Sequence, residues 1–140
     1  MESTERGEVV RVVDGDTIIV RIGGQEERVR YIGVNAPELA NAERGADAEC
    51  GALEAAVANR ELLEGRSVAL ERDVTERDRF GRLLRHVWVD HDGWRLATEA
   101  LVESGAIRAR SYPPDTSRDP QLEAAEGAAR SARRGIWGSC

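Results

Sequence analysis

The sequence predicts an α+β fold: a small closed β-barrel of five strands with three helices packed around it. Three observations predict this fold. Three strand-like segments follow one another near the N-terminus, a helical segment separates them from two further strands, and two more helical segments follow. With 140 residues the chain has the usual length of one domain. We expect residues 1–7 to be a flexible N-terminus and residues 8–140 to form the domain.

The first three strands are predicted from β-branched residues and turn signals. Residues 8–13 alternate around four valines, and residues 17–22 are again rich in β-branched side chains. Gly23-Gly24 is a hairpin signal, and residues 28–34 read as the strand that follows. These segments therefore predict an antiparallel meander of three strands.

The middle of the chain predicts a helix and two more strands. Residues 48–63 are dense in alanine and leucine, and Gly65 lies just past their end, where helices commonly stop. Residues 67–72 and 83–89 are typical of strands. Five strands with a helix inserted between the third and the fourth indicate a five-stranded Greek-key OB-fold barrel, a fold that binds nucleic acids on one face.

Two helices and a loop are predicted for the C-terminal part. Residues 96–103 carry apolar side chains at helical spacing, and residues 112–118 form a loop rich in proline and aspartate. Asp119 is expected to cap the last helix, with Pro120 in its first position. Beyond that helix, the segment at Ile136 is expected to pack back on the core.

Composition excludes some classes of protein and leaves one question open. Hydrophobic residues make up 41% of the chain and charged residues 33%, which excludes a disordered tail and a membrane-embedded chain. The formal net charge of −6 argues against a nucleic-acid binder with a basic surface. However, all 20 basic residues are arginine, the side chain best suited to bidentate phosphate recognition.

The two cysteines, Cys50 and Cys140, do not have the spacing of a zinc site. They are either unrelated thiols or one disulfide that ties the last residue to the start of a helix. We favour the disulfide, and with it an oxidising compartment, because a cysteine in the last position has no packing role. The N-terminus lacks the apolar core of a signal peptide, so a cytosolic location and a removed signal both stay possible.

Polar residues at strand ends are the candidates for chemistry. Asp14 and Asp16 flank a glycine after the first strand, and two carboxylates at this spacing lie on one face and suit a calcium ion. The alternative is an ordinary Asp-Gly turn. Arg30 lies in the third strand, where the plain interpretation is a solvated side chain, and Asn35 and Glu38 follow that strand.

A second cluster precedes the fifth strand. Residues 77–82 place three arginines around Phe80 and Gly81, which is typical either of a charged hairpin or of a phosphate clamp. Carboxylates, an amide oxygen and arginines are together the parts of a metal-dependent phosphodiesterase. Each signal is weak alone, and the combination indicates phosphodiester hydrolysis.

The same segments, in the same order, resemble the staphylococcal nuclease (thermonuclease) family, from about residue 8 to residue 137. The matching segments are 12–17, 30–38, 78–82, 99–105 and 134–137. The resemblance implies an OB-fold barrel with three helices and a calcium-dependent nuclease. Such an enzyme hydrolyses single-stranded or locally melted DNA and RNA at the P–O5′ bond and leaves 3′-phosphate ends.

The resemblance also implies a role for each candidate residue. Asp16 is similar to the principal calcium carboxylate, Asn35 and the Ala36 carbonyl to further calcium ligands, and Asp14 to a carboxylate near the metal. Position 35 often carries aspartate in the family, so we expect weaker calcium binding here. The remaining roles are a general base for Glu38, a grip on the scissile phosphate for Arg30 and Arg82, and the nucleotide pocket for Arg79, Phe80 and Tyr112.

The loop before the last helix departs from the family at one point. Arg110 and Ser111 stand where a second tyrosine is common, so arginine stacking is expected to substitute for it. The alternative function is a non-catalytic OB-fold module that binds nucleic acid or protein. The presence of Asp16, Glu38 and both arginines favours the nuclease. We further expect a monomer without membrane contact, in the extracellular space or the cell envelope.

Overall fold

A computed structural model describes residues 4–140 of the chain, and these residues form eight strands and four helices. The strands are β1 (Thr4–Val12), β2 (Thr17–Ile22), β3 (Gln25–Tyr31), β4 (Val34–Asn35), β5 (Ser67–Glu71), β6 (Leu83–Asp90), β7 (Trp94–Leu96) and β8 (Arg108–Ala109). The helices are α1 (Ala52–Leu63), α2 (Ala97–Glu103), α3 (Asp119–Ser131) and α4 (Ile136–Ser139).

Five of the strands close into a barrel. The antiparallel order is β3-β2-β1-β5-β6, and β3 returns to pair in parallel with β6. In that closing pair Val29 lies opposite Leu83, and Tyr31 lies opposite Arg85. Strand β7 extends β6 as a hairpin, and β4 pairs with β8 outside the barrel. The predicted five-stranded Greek-key OB-fold is therefore confirmed.

The barrel interior is filled with aliphatic side chains from alternating positions of the strands, as expected for one buried face. They include Val9, Ile18, Val20, Val29, Val68, Leu70 and Val87, each at most 2% exposed. Helix α1 packs on β1 and α2, and α2 packs on β6 and α3. Buried Asn59 of α1 accepts the Tyr31 hydroxyl at 2.6 Å and donates to the Asp14 carbonyl at 2.8 Å, which joins α1 to the β1–β2 turn.

Several element boundaries differ from the predictions. β1 begins at Thr4, because residues 4–7 of the segment expected to be flexible pair with β5; residues 1–3 lie outside the described part of the chain. The predicted third strand is split, since Gly33 has φ of +81° between β3 and β4. α1 begins at Ala52, after Gly51 in a left-handed conformation, and not at residue 48.

The C-terminal helices also depart from the prediction in part. Asp119 is the first residue of α3 and does not cap it; its Oδ2 accepts the Ser111 hydroxyl instead. Beyond the three predicted helices, α4 adds a single turn. Ile136 does pack on the core, since it is 5% exposed and its amide donates to the Gly105 carbonyl at 3.0 Å. Gly105 permits this approach, because a Cβ there would lie 2.2 Å from the Arg134 carbonyl.

The two cysteines form a disulfide. Cys50 precedes α1, Cys140 is the last residue, and their Cα atoms lie 5.9 Å apart across 90 residues of chain. The bridge therefore ties the C-terminal turn to the start of α1. Among residues 4–140, none of the helices combines the length and the apolar character that crossing a bilayer requires.

Candidate active site

The turn between β1 and β2 holds two carboxylates in an ordered arrangement. Asp14 Oδ1 accepts the Asp16 amide at 3.0 Å. Asp16 Oδ1 accepts the Thr17 hydroxyl at 3.1 Å, and its Oδ2 accepts the Ala36 amide, just beyond β4, at 3.0 Å. Asp16 is 8% exposed, so these bonds fix its carboxylate at the edge of the barrel. The turn therefore holds both carboxylates in place, in addition to reversing the chain.

Burial and the neighbouring charge of Asp16 both disfavour the ionised form of Asp14. Burial, and after it the neighbouring charge of Asp16, raise the pKa of Asp14 from 3.8 to about 6. Hydrogen bonding from the Asp16 amide and the charge of Arg30 act in the opposite direction and only reduce the shift. Two carboxylates in this condition gain from a nearby cation, which offsets their repulsion.

The donors around the turn fit a hard cation such as calcium. Asp14 and Asp16 offer carboxylate oxygens, and the bond from the Ala36 amide to Asp16 brings the chain at Asn35 and Ala36 to the same turn. These two residues add an amide oxygen and a backbone carbonyl to the oxygen donors of this region. Over residues 4–140, no group of three or more His, Cys, Asp or Glu side chains could hold a metal ion. Any cation at this turn is therefore held with the charge of two carboxylates.

Arg30 connects the carboxylates to a neighbouring pocket. Its Nη2 lies 3.4 Å from Asp16 Oδ2, and its Nη1 donates to the Tyr31 carbonyl at 2.6 Å. Only 14% of the side chain is exposed, so the interpretation as a solvated strand residue is wrong. Because Arg30 also lines the pocket, one guanidinium contacts both halves of the site.

The pocket has a volume of about 240 Å³ and carries arginine and aromatic side chains. Its lining residues are Arg30, Tyr31, Ile32, Asp78, Arg79, Phe80, Arg82, Leu84, Tyr112 and Asp115. Phe80 is 69% exposed, and the guanidinium carbons of Arg79 and Arg82 lie over its ring at 4.8 and 5.6 Å from the centroid. Those of Arg30 and Arg110 lie over the Tyr112 ring at 5.9 and 5.2 Å. The structure thus brings together five of the predicted site residues.

A short loop held by Asp78 presents Phe80 and Arg82 to the pocket. Asp78 Oδ1 accepts the amides of both residues, and Oδ2 accepts Arg82 Nε at 2.7 Å. Burial alone would raise the pKa of Asp78, but these hydrogen bonds outweigh it and hold the pKa below its ordinary value. Arg77, the third arginine of the cluster, lines no part of the pocket and binds Glu27 of β3 at 3.0 Å.

The loop that carries Tyr112 is held in place by hydrogen bonds of two aspartates, Asp115 and Asp73. Asp115, 5% exposed, accepts the amides of Val74 and Thr75 at 2.9 and 2.7 Å. Further along, Asp73 Oδ2 accepts the Ser117 hydroxyl at 2.7 Å and lies 2.9 Å from His86 Nε2. These bonds hold the loop before α3 against the loop before β6. Phe80 and Tyr112 therefore both lie on loops that hydrogen bonds hold in place.

Glu38 lies away from the pocket lining. Its side chain is 64% exposed, and its Oε2 lies 3.4 Å from Arg44 Nη2 within the same loop. It follows Ala36, which binds Asp16, by two residues, so the Cα atoms of Ala36 and Glu38 are within about 7 Å. The chain therefore carries Glu38 past the carboxylate turn, with its carboxylate open to solvent.

Sequence reasoning assigned no role to two residues that support the site: Asp78 and Asp115. Asp78 could have been found, because an aspartate followed by glycine three residues later is typical of a turn held by the carboxylate. Asp115 acts on a distant segment, the amides of Val74 and Thr75, and no local pattern marks such contacts.

An OB-fold barrel with paired carboxylates, joined by arginine to a pocket of arginines and aromatic rings, defines a class of phosphate-handling nucleic-acid proteins. Residues 28–139 match the family described as "Staphylococcal nuclease homologue". The chain belongs to this staphylococcal nuclease family.

Known relatives are similar over most of the chain. A thermonuclease of Staphylococcus hyicus is 35% identical over 129 residues, which cover 92% of this chain and 73% of that protein. A thermonuclease of Staphylococcus intermedius is 36% identical over 135 residues, or 94% of this chain and 77% of that protein. Endonuclease YncB of Bacillus subtilis (strain 168) is 34% identical over 129 residues, covering 91% of this chain and 59% of the relative. These relatives support a nuclease function, the hydrolysis of phosphodiester bonds.

Proposed function

We propose that the protein is a calcium-dependent nuclease that hydrolyses DNA and RNA at the P–O5′ bond and leaves 3′-phosphate ends. The observation that carries the proposal is the 3.4 Å contact between Arg30 and Asp16, because it joins a carboxylate centre to a pocket suited to a nucleotide. A phosphate gripped by Arg30 lies beside the oxygen donors of the turn. This is the arrangement that phosphodiester hydrolysis needs.

Asp16, Asn35 and the Ala36 carbonyl would hold the calcium ion, with Asp14 beside them. A calcium ion held there would supply positive charge that offsets the negative charge growing on the phosphate during attack. Asp16 has one oxygen on the Ala36 amide and one on the Thr17 hydroxyl, so its orientation is set before any ligand arrives. Such preorganisation lowers the cost of assembling the site.

Arg30 and Arg82 bind the scissile phosphate from the pocket side. Both guanidiniums are restrained, Arg30 by the Tyr31 carbonyl and Arg82 by Asp78, so little side-chain entropy is lost when they bind an anion. Glu38 orients or deprotonates the attacking water from its solvent-exposed loop. An exposed carboxylate is a weak base for water, so electrostatic stabilisation by the arginines carries most of the rate acceleration.

Phe80 and Tyr112 bind a base or sugar of the substrate. Two arginine guanidiniums already lie over each ring, at 4.8 to 5.9 Å from its centroid, so a base that stacks on either ring contacts a cation as well as the aromatic face. Stacking needs an unpaired base, which favours single-stranded or locally melted substrates. Arg79 lines the same pocket and contributes to binding.

The test is cleavage of denatured DNA and of RNA in the presence of calcium or of a chelator. We expect cleavage with calcium, none with chelator, and restoration when calcium is returned. Binding of either polymer without cleavage at any alkaline pH would instead establish the non-catalytic module. The disulfide is compatible with an extracellular or cell-envelope location, and we propose a monomer as the working state.

A further inference from the structure

The loop that carries Glu38 is closed by a single residue, Glu49. The Glu38 amide donates to Glu49 Oε1 at 2.6 Å, and the Glu49 amide donates to the Glu38 carbonyl at 2.9 Å. Glu49 thus binds the backbone of Glu38 through both its main chain and its side chain. Its own carbonyl accepts the amide of Ala52, the first residue of α1, at 3.0 Å. Glu38 is therefore connected to α1 through Glu49.

Side-chain packing contributes little to the position of Glu38. Its carboxylate is 64% exposed, and its partner Arg44 is 59% exposed, a kind of ion pair that stabilises only weakly. The backbone of Glu38 must then set where the carboxylate can reach. The Glu38 amide donates a charge-assisted hydrogen bond to Glu49, and this bond restrains the backbone at Glu38.

The residue after Glu49 is Cys50, whose disulfide leads to the C-terminal turn. Next to it, Gly51 lies tightly between two segments. A Cβ at Gly51 would be 2.7 Å from Ile136 Cγ2 and 3.7 Å from the ring of Pro37, the residue before Glu38. The C-terminal turn therefore packs against the same junction that holds Glu38, and the disulfide fastens it there covalently.

We propose that Glu49 is the positioning residue for the Glu38 carboxylate, and that the Cys50–Cys140 disulfide keeps Glu49 in place. The inference rests on the role proposed above for Glu38. It assigns the C-terminal turn a part in catalysis although this turn lines no part of the pocket. Loss of the hydrogen bonds between Glu49 and Glu38 should lower turnover. It should leave nucleotide binding intact, because Arg79, Phe80 and Tyr112 lie on loops that other residues hold in place.

The test compares Glu49→Gln with Glu49→Ala. Glutamine keeps an amide oxygen that accepts the Glu38 amide, whereas alanine removes the acceptor. For Glu49→Ala we expect kcat to fall about tenfold to 100-fold with KM within twofold, and Glu49→Gln to stay close to the original protein. Glu43→Ala, an exposed glutamate of the same loop, is the matched control and should change neither constant.

A second readout needs neither calcium nor substrate. Hydrogen exchange at the Glu38 amide should accelerate in Glu49→Ala and in the double variant Cys50→Ser/Cys140→Ser, and not in Glu49→Gln. Exchange at the Val20 amide in the barrel reports whether a variant is folded. If the double variant unfolds, the comparison of Glu49→Ala with Glu49→Gln tests the positioning role without it.

The outcomes separate this inference from the proposed function. An unchanged kcat and an unchanged Glu38 exchange rate in Glu49→Ala overturn the positioning role, as does a Glu49→Gln variant as impaired as Glu49→Ala. If the original protein shows no calcium-dependent cleavage, the proposed function fails instead, and if Glu38→Gln keeps full activity, the role proposed for Glu38 fails. In that case the exchange data still report whether Glu49 holds the loop.

Discussion

Single charged side chains divide the proposed work between turnover and binding. Arg30 and Arg82 are both restrained by protein groups, whereas Arg79 touches only the exposed ring of Phe80 among the contacts described. A restrained cation is suited to charge that appears in the transition state, and a loosely held one to ground-state binding. The two kinds of arginine should therefore respond differently to removal.

Arg82→Ala should lower kcat by about 100-fold or more, because it removes a preorganised donor to the transition state. Arg79→Ala should mainly raise KM, with kcat close to that of the original protein. Arg21→Ala, an arginine half exposed on β2 and paired with Glu26, serves as the control. Equal and small effects of Arg82→Ala and Arg79→Ala on kcat would contradict these roles.

Asn35 sets the charge of the proposed calcium site. Asn35→Asp should tighten calcium binding by about tenfold or more, since a third carboxylate adds a favourable interaction with a divalent ion. Arg108 lies opposite Asn35 in the β4–β8 pair and will offset part of the gain. Titration calorimetry with calcium alone measures the change. An affinity that stays the same, with Asn35→Ala also unchanged, would remove residue 35 from the site.

The elements of the fold were predictable wherever a local pattern determines them. β2 was predicted with its observed bounds, because β-branched residues and a glycine pair define it without reference to the rest of the chain. The ends of β3 and α1 were not, since they depend on the left-handed glycines Gly33 and Gly51, and a glycine can also stand inside an element.

The residues of the candidate site were likewise predictable only where a local pattern marks them. Asp14, Asp16 and the segment around Phe80 stand out because polar residues interrupt apolar strands. The resemblance added roles to them that residue types alone left open. The anchors Asp73 and Asp115 reach 44 and 41 residues along the chain, and the sequence has no signal for contacts of that range. Their function became visible only from the packed loops.

The hydrogen bonds of Asp73 make the folding stability of the protein depend on pH. Burial alone would raise the pKa of Asp73, but hydrogen bonds from His86 and Ser117 outweigh it and hold the pKa below its ordinary value. A lowered folded-state pKa contributes stability above the unfolded value of about 4, and this contribution is lost as the pH falls through the folded value.

Asp73→Asn should therefore reduce the free energy of unfolding at pH 7 by about 1–3 kcal/mol, and the difference should shrink below about pH 4. Urea unfolding of both proteins across that range is the measurement, with Asp47→Asn, an exposed aspartate, as the control. A difference that is constant from pH 7 to pH 3 would mean that Asp73 is not a titrating anchor.

At the scale of the whole molecule, the net charge of −6 and the nucleic-acid pocket are compatible. Acidic residues such as Glu54, Glu61 and Glu123 lie exposed on α1 and α3, whereas Arg30, Arg79 and Arg82 share one pocket. A local cluster can bind phosphate, while the surrounding field stays weak and gives little long-range steering. The distribution of charge, and not its sum, decides which partner the protein can bind.

This distribution predicts a shallow salt dependence of binding. With three arginines in the pocket, the logarithm of the association constant for single-stranded DNA should fall with log salt at a slope of about −2. Arg79→Ala should make the slope shallower by about 0.7. Fluorescence titrations in chelator, where cleavage is absent, give the slope. A value several times steeper would mean that arginines outside the pocket also bind the polymer.

The proposed hydrolysis at the P–O5′ bond is tested by the masses of the products cut from a defined single-stranded oligonucleotide in calcium. Attack that expels the 5′-oxygen should leave every upstream fragment with a 3′-phosphate and every downstream fragment with a 5′-hydroxyl. Fragments with 5′-phosphate ends would contradict cleavage at the P–O5′ bond. An oligonucleotide that is bound and stays intact would contradict a nuclease activity.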